Sequence, residues 1–219
     1  LSLVGSEMCI RDRVGADFVS NYIWRGTDCG GVSIQPSMGV SYKGLSLTAW
    51  GSVGIDKEDA REIDLTLGYN TGGFSVSVTD YWFSYHKEDG GYTGDYFKYG
   101  AHSTVHIFEA TLGYDFGPLA LSWNTYFAGD DYTKENGDRA YSTYVGISAP
   151  FKLGGLDWSV EVGLTPWEGA YANKFNVTNL TLKAEKEIKF TNSFSLPTFA
   201  QVTFNPHTQG AYFVFGVSF

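Results

Sequence analysis

Bulky apolar and small polar residues alternate along most of this chain. In the last nine residues Ala211, Phe213, Phe215, Val217 and Phe219 fall on one side, with Tyr212, Val214, Gly216 and Ser218 on the other. A period of two with one greasy face is a β-strand whose two sides meet different surroundings. The pattern also runs through Asp17–Arg25, with Phe18, Tyr22 and Trp24 on one face. Ile34, Met38, Val40 and Tyr42 stand against Ser33, Gln35, Ser37, Gly39 and Ser41. Leu45, Leu47, Ala49, Gly51 and Val53 stand against Ser46, Thr48, Trp50 and Ser52, and Ile63, Leu65, Leu67 and Tyr69 against Glu62, Asp64, Thr66 and Gly68. Further strands are predicted through Phe74–Thr79, Phe108–Phe116, Leu119–Asn124, Val145–Phe151, Leu156–Thr165, Leu180–Glu185 and Ala200–Phe204, with a bulge near Asp80.

The result is about twelve strands of roughly 9 to 12 residues, the length a tilted strand needs to cross a bilayer. Their connections alternate in length. Lys43-Gly44, Asn70–Gly73, Gly117-Pro118 and Lys152–Gly155 are short. Gly26–Gly31, Asp56–Arg61, His86–Ser103, Gly129–Arg139 and Trp167–Lys174 are longer and polar. An up-and-down membrane barrel sorts its connections this way, short turns on one side and long loops on the other. Trp24, Tyr42, Tyr69, Trp82, Tyr114 and Trp167 fall at predicted strand ends, where such a barrel keeps its aromatic girdles. A soluble β-sandwich binding module also alternates. It has no reason to segregate its connections, or to fill its polar faces with Gly and Ser. The expected fold is all-β, a transmembrane antiparallel up-and-down β-barrel of about 12 strands.

Composition agrees. The 219 residues include 15 Tyr, 16 Phe and 27 Gly but only 6 Pro, a β-type mixture with no apolar run near the ~20 residues of a spanning helix. A net charge of -9 argues against nucleic acid as a partner. The two cysteines, Cys9 and Cys29, make no disulfide framework or metal spacing. Leu1–Arg13 lacks the alternation and reads as non-native, adaptor-like sequence, which leaves 14–219 as one barrel domain.

Ser20-Asn21-Tyr22-Ile23-Trp24-Arg25-Gly26, Gln35-Pro36, Trp50-Gly51-Ser52, Glu62-Ile63-Asp64 and Gly68-Tyr69 occur in that order, followed by Phe108-Glu109-Ala110 and Gly113-Tyr114. This series resembles the TorF-like porin family, strongly in the first half of the chain and through strand spacing in the second. Cys29 departs from the pattern. The resemblance implies a bacterial outer-membrane location in a Gram-negative cell. A terminal aromatic strand also resembles the closing strand of outer-membrane barrels, with Phe215, Val217 and Phe219 as its insertion signal. Implied partners are membrane lipid, lipopolysaccharide and the barrel-assembly machinery.

With the greasy face toward lipid, the other face lines a lumen. Its charged and polar residues include Arg25, Gln35, Glu62, Asp64, Glu109, Glu161 and Lys183. Mixed charge inside a barrel can sort solutes across a constriction, for which Arg25 with Glu62, Asp64 and Glu109 is the candidate set. It can equally staple the interior shut, because twelve strands lie between the filled eight-stranded barrel and the open sixteen-stranded one. The expected function is passive diffusion of small polar solutes or ions. The alternative is a non-conducting barrel whose loops bind a partner, with Tyr92, Tyr96, Phe97 and Tyr99 available in the longest loop. That loop could also fold inward. His86, His102, His106 and His207 read as exposed loop residues without a catalytic partner. The acidic loops Asp56–Asp59 and Asp130–Asp138 read as solvated faces. No enzyme activity, cofactor or metal is expected.

Overall fold

The structure, a computed structural model, describes residues 11–87, 91–101, 103–191 and 194–219. Among these residues there are fourteen strands and no helix. They are β1 (Arg11–Val19), β2 (Tyr22–Trp24), β3 (Thr27–Gly30), β4 (Ser33–Tyr42), β5 (Leu45–Gly54), β6 (Arg61–Thr71) and β7 (Phe74–Ser84). The rest are β8 (Ile107–Asp115), β9 (Ala120–Gly129), β10 (Thr143–Leu153), β11 (Leu156–Thr165), β12 (Asn176–Lys189), β13 (Ser195–Asn205) and β14 (Gly210–Ser218). Twelve of them form one closed antiparallel barrel in chain order, β1 pairing with both β4 and β14. The remaining two, β2 and β3, form a separate hairpin.

Alternation sets which side chains point out. Leu47, Leu67, Phe213 and Phe215 lie in strands of the wall and are each at least half exposed. Across the same strands Ser52, Glu62 and Val214 are buried toward the axis. An apolar exterior around a polar interior inverts a water-soluble protein and fits a membrane barrel, where no backbone edge is left open. Tyr42, Tyr69 and Tyr114 stand exposed at the short-turn end of their strands, and Trp167 at the long-loop end. Trp24, expected in the same girdle, is instead on the β2–β3 hairpin.

Local chemistry explains the short-turn end. Lys43-Gly44, Gly72-Gly73 and Gly154-Gly155 all have positive φ, the two-residue turn whose twist matches antiparallel strands. The seam is closed at the chain end. Asp17–Val19 pair with Ser218–Gly216, and Phe219 exchanges backbone hydrogen bonds with Ala16 at 2.9 and 3.2 Å.

β1 begins at Arg11, and Arg11–Arg13 pair with Ser41–Gly39. Leu1–Ile10 lie outside the described residues. Two expectations need correction. The first strand does not run on to Arg25. It ends at Val19, because the chain turns inward after Ser20, whose N–H and hydroxyl are taken up by the backbone of Phe215. There is no bulge near Asp80 between β6 and β7, which stay in register from Arg61↔Ser84 to Thr71↔Phe74. Asp80 simply occupies an outward position.

Candidate lumen site

The residues expected to be a glycine-rich loop, Gly26–Gly31, are half of a hairpin folded into the barrel. Trp24 and Thr27 pair across Arg25-Gly26, whose φ values of 51° and 79° make the turn. Glycine is required at the second position twice over. Its φ is left-handed, and a Cβ there would lie 1.9 Å from the Thr178 carbonyl oxygen of β12. From the next strand, Asn205 donates to the Gly26 carbonyl at 2.9 Å. The tip is therefore pressed against the wall formed by β12 and β13.

Its side chains reach the opposite wall. Arg25 Nη1 and Nη2 donate to the two carboxylate oxygens of Glu109 on β8, at 2.6 and 2.9 Å. The Arg25 side chain is 11% exposed and that of Glu109 1%. Nη1 also donates to the Tyr171 hydroxyl at 2.5 Å, which in turn donates to the Tyr126 hydroxyl at 3.0 Å. The Tyr81 hydroxyl donates to Glu109 at 3.0 Å. The guanidinium lies 4.2 Å from the Trp24 ring centre and 4.8 Å from that of Tyr144. A planar, permanently charged group suits this cage, because it can use both carboxylate oxygens and stack on rings at once. Nearer the hairpin base, Tyr22 packs on Trp50 of β5, ring centres 5.5 Å apart.

The hairpin thus divides the lumen. On one side a polar chamber of about 310 Å³ is lined by Asn124, Glu161, Asn179, Thr181, Gln201 and Thr203, with Arg25 and Gly26 as part of its wall. Facing the long loops is a vestibule of about 720 Å³, lined by hairpin residues and by rings from β7, β9 and the β11–β12 loop. Toward the short turns, Gly39, Ser41, Ser46 and Thr48 leave a third space of about 450 Å³.

The expected lumen set is split by this arrangement. Arg25 and Glu109 meet. Glu62 and Asp64 sit together on β6, but no ion pair among the described residues joins either to Arg25. Gln35 is buried and donates to its neighbour Ser33 at 3.2 Å. Glu161 accepts from Tyr144 at 2.5 Å and from Asn179 at 3.0 Å. Lys183 pairs with Glu185 at 2.6 Å and caps the Phe199 ring at 4.4 Å. Phe215, Val217 and Phe219 share the outward face of the closing strand, and Phe219 is 71% exposed.

Of the courses left open for the longest loop, its described rings take the outer one, against the outside of the wall: Tyr96 lies 5.4 Å from outward-facing Trp82, and Tyr99 lies 6.4 Å from Phe108. His106 is fully buried, not exposed, because it bridges Asp80 and the Tyr96 carbonyl at 2.7 Å each. His86 packs against Tyr92, and Asn176 lies 3.0 Å from His207 Nδ1. His102 lies outside the described residues. The acidic loops accept from neighbouring backbone: Asp59 from the Gly31 N–H between β3 and β4, and Asp131 from the Ser142 N–H just before β10, while Asp56 accepts from Glu58 within its own loop.

Tyr81, Tyr126, Tyr144 and Tyr171 are not singled out by the sequence. For the first three a signal exists, since each interrupts a Gly/Ser/Thr-rich inward face with a large ring. Tyr171, in an irregular loop, gives none. Comparison with known protein families finds no match, and no curated protein matches the chain either.

Proposed function

We propose that this chain is a bacterial outer-membrane channel for small polar solutes, with its β2–β3 hairpin as the constriction. One observation carries this reading: a hairpin laid across an otherwise polar lumen and fastened by Arg25 to Glu109. The apolar exterior supports placement in a bilayer, and the segregation of short and long connections supports periplasmic turns with extracellular loops. The closing strand, ending on exposed Phe219, supports recognition by assembly machinery. Lipid and lipopolysaccharide would then be its surroundings.

A second reading follows from the same latch. If the hairpin never leaves, the barrel is sealed and its vestibule and loops do the work. Planar-bilayer recording of refolded protein separates the two. Arg25→Ala and Glu109→Ala are each expected to raise single-channel current above wild type. Zero current in all three proteins favours the sealed barrel, and equal nonzero current removes the hairpin as the constriction.

A further inference from the structure

We infer that the vestibule between the hairpin and the long loops binds an organic cation, an amine or quaternary ammonium on an apolar body. The ligand class rests on the membrane-channel reading only for the vestibule's access from outside. A volume of about 720 Å³ lies within the ordinary range of small-molecule sites. Six rings line it: Tyr22 and Trp24 from the hairpin, Phe83 and Tyr85 from the β7 end, and Tyr126 and Tyr171 opposite. Ring faces carry negative potential, so such a box attracts cations that are poorly hydrated.

Charge points the same way. Asp28, Glu62 and Asp130 line the vestibule, and among the described residues no Lys, Arg or His does. Cations on adjoining elements are committed elsewhere. Arg25 is held by Glu109, Arg61 lies 4.0 Å from the Tyr92 ring centre, and Arg139 donates to the Gly129 carbonyl at 2.8 Å. Asp28 and Asp130 are exposed at the rim and draw a cation inward, while Glu62 is 5% exposed in the wall. A small inorganic cation would use the carboxylates and ignore the rings. An anion or a sugar would leave the acids uncompensated. A cation with an apolar body uses both.

The test is isothermal titration of the full chain in non-ionic detergent, with empty micelles as reference. The probes are benzyltrimethylammonium, its neutral analogue neopentylbenzene, and benzenesulfonate. Saturable binding of the cation alone is expected, weakened about tenfold by Glu62→Gln, the loss of one charge-assisted contact. Asp28→Asn with Asp130→Asn, at exposed positions that spare the fold, is expected to weaken it severalfold. A second readout needs no lining variant except the resident thiol. In a Cys9→Ser background, a trimethylammonium methanethiosulfonate labels Cys29 faster than its sulfonate counterpart. Equal binding of all three probes, or equal labelling rates, overturns the inference. Conductance is recorded separately, so a conducting barrel without cation binding and a cation-binding barrel without conductance are distinct outcomes.

Discussion

Arg25 and Glu109, 84 residues apart in sequence, meet inside the barrel through two parallel hydrogen bonds of 2.6 and 2.9 Å. The pair joins the tip of the β2–β3 hairpin to a carboxylate on the barrel wall. Removing one partner strands a buried charge, which costs about 3–5 kcal/mol. Glu109→Ala is therefore expected to release the tip more than a double replacement of both residues by apolar ones. Trypsin cleavage after Arg25 measures this, slow in wild type and fast in Glu109→Ala.

Gly26→Ala is expected to undock the hairpin without touching any charge. The added methyl would sit 1.9 Å from the Thr178 carbonyl oxygen, in a backbone conformation that L-residues rarely adopt. Loss of the interaction between Asn205 and the Gly26 carbonyl follows, and Asn205→Ala in the Gly26→Ala background then adds almost nothing. Denaturant titration of the two single variants and the double variant reads this coupling.

Burial, reinforced by Glu62 and Asp28, pushes the Cys29 thiol up to about 12. A raised thiol stays protonated through neutral pH, and the reactive thiolate appears only as pH climbs toward that value. In a Cys9→Ser background, alkylation by neutral iodoacetamide at pH 8 is expected to be slower than for a free cysteine by roughly a hundredfold or more. The rate keeps rising beyond about pH 10. A plateau near pH 9, close to the ordinary thiol value, would mean that the surroundings of Cys29, Glu62 and Asp28 among them, do not hold its thiol up.

His106→Ala removes the bridge between Asp80 and the Tyr96 carbonyl. Two hydrogen bonds to a fully buried ring are lost, a cost of about 2 kcal/mol confined to the loop. Chymotrypsin is expected to cut at Tyr96 in the variant faster than in wild type and to spare the barrel strands.

Alternation and loop spacing are enough to predict twelve strands, their facing and the closing role of the last one. Those features follow from local chemistry, such as the glycine pairs at Gly72-Gly73 and Gly154-Gly155. The hairpin is not legible, because Phe18, Tyr22 and Trp24 continue the period of two straight through the point where the chain leaves the wall. What ends β1 is a tertiary contact, Ser20 against Phe215, which no local pattern encodes. The pairing of Arg25 with Glu109 is one of several open to a mixed-charge lumen. The burial of His106 depends on a loop folding outward onto Trp82, where periodicity is silent.

The most direct measurement replaces residues 21–31, the whole hairpin, by a short Gly/Ser linker and records single-channel conductance in planar bilayers. Current severalfold above wild type is expected, because the linker leaves Glu109 facing open water and joins the two cavities on either side. Identical current with and without the hairpin would mean that it does not close the lumen, and that some other feature sets the width of the path.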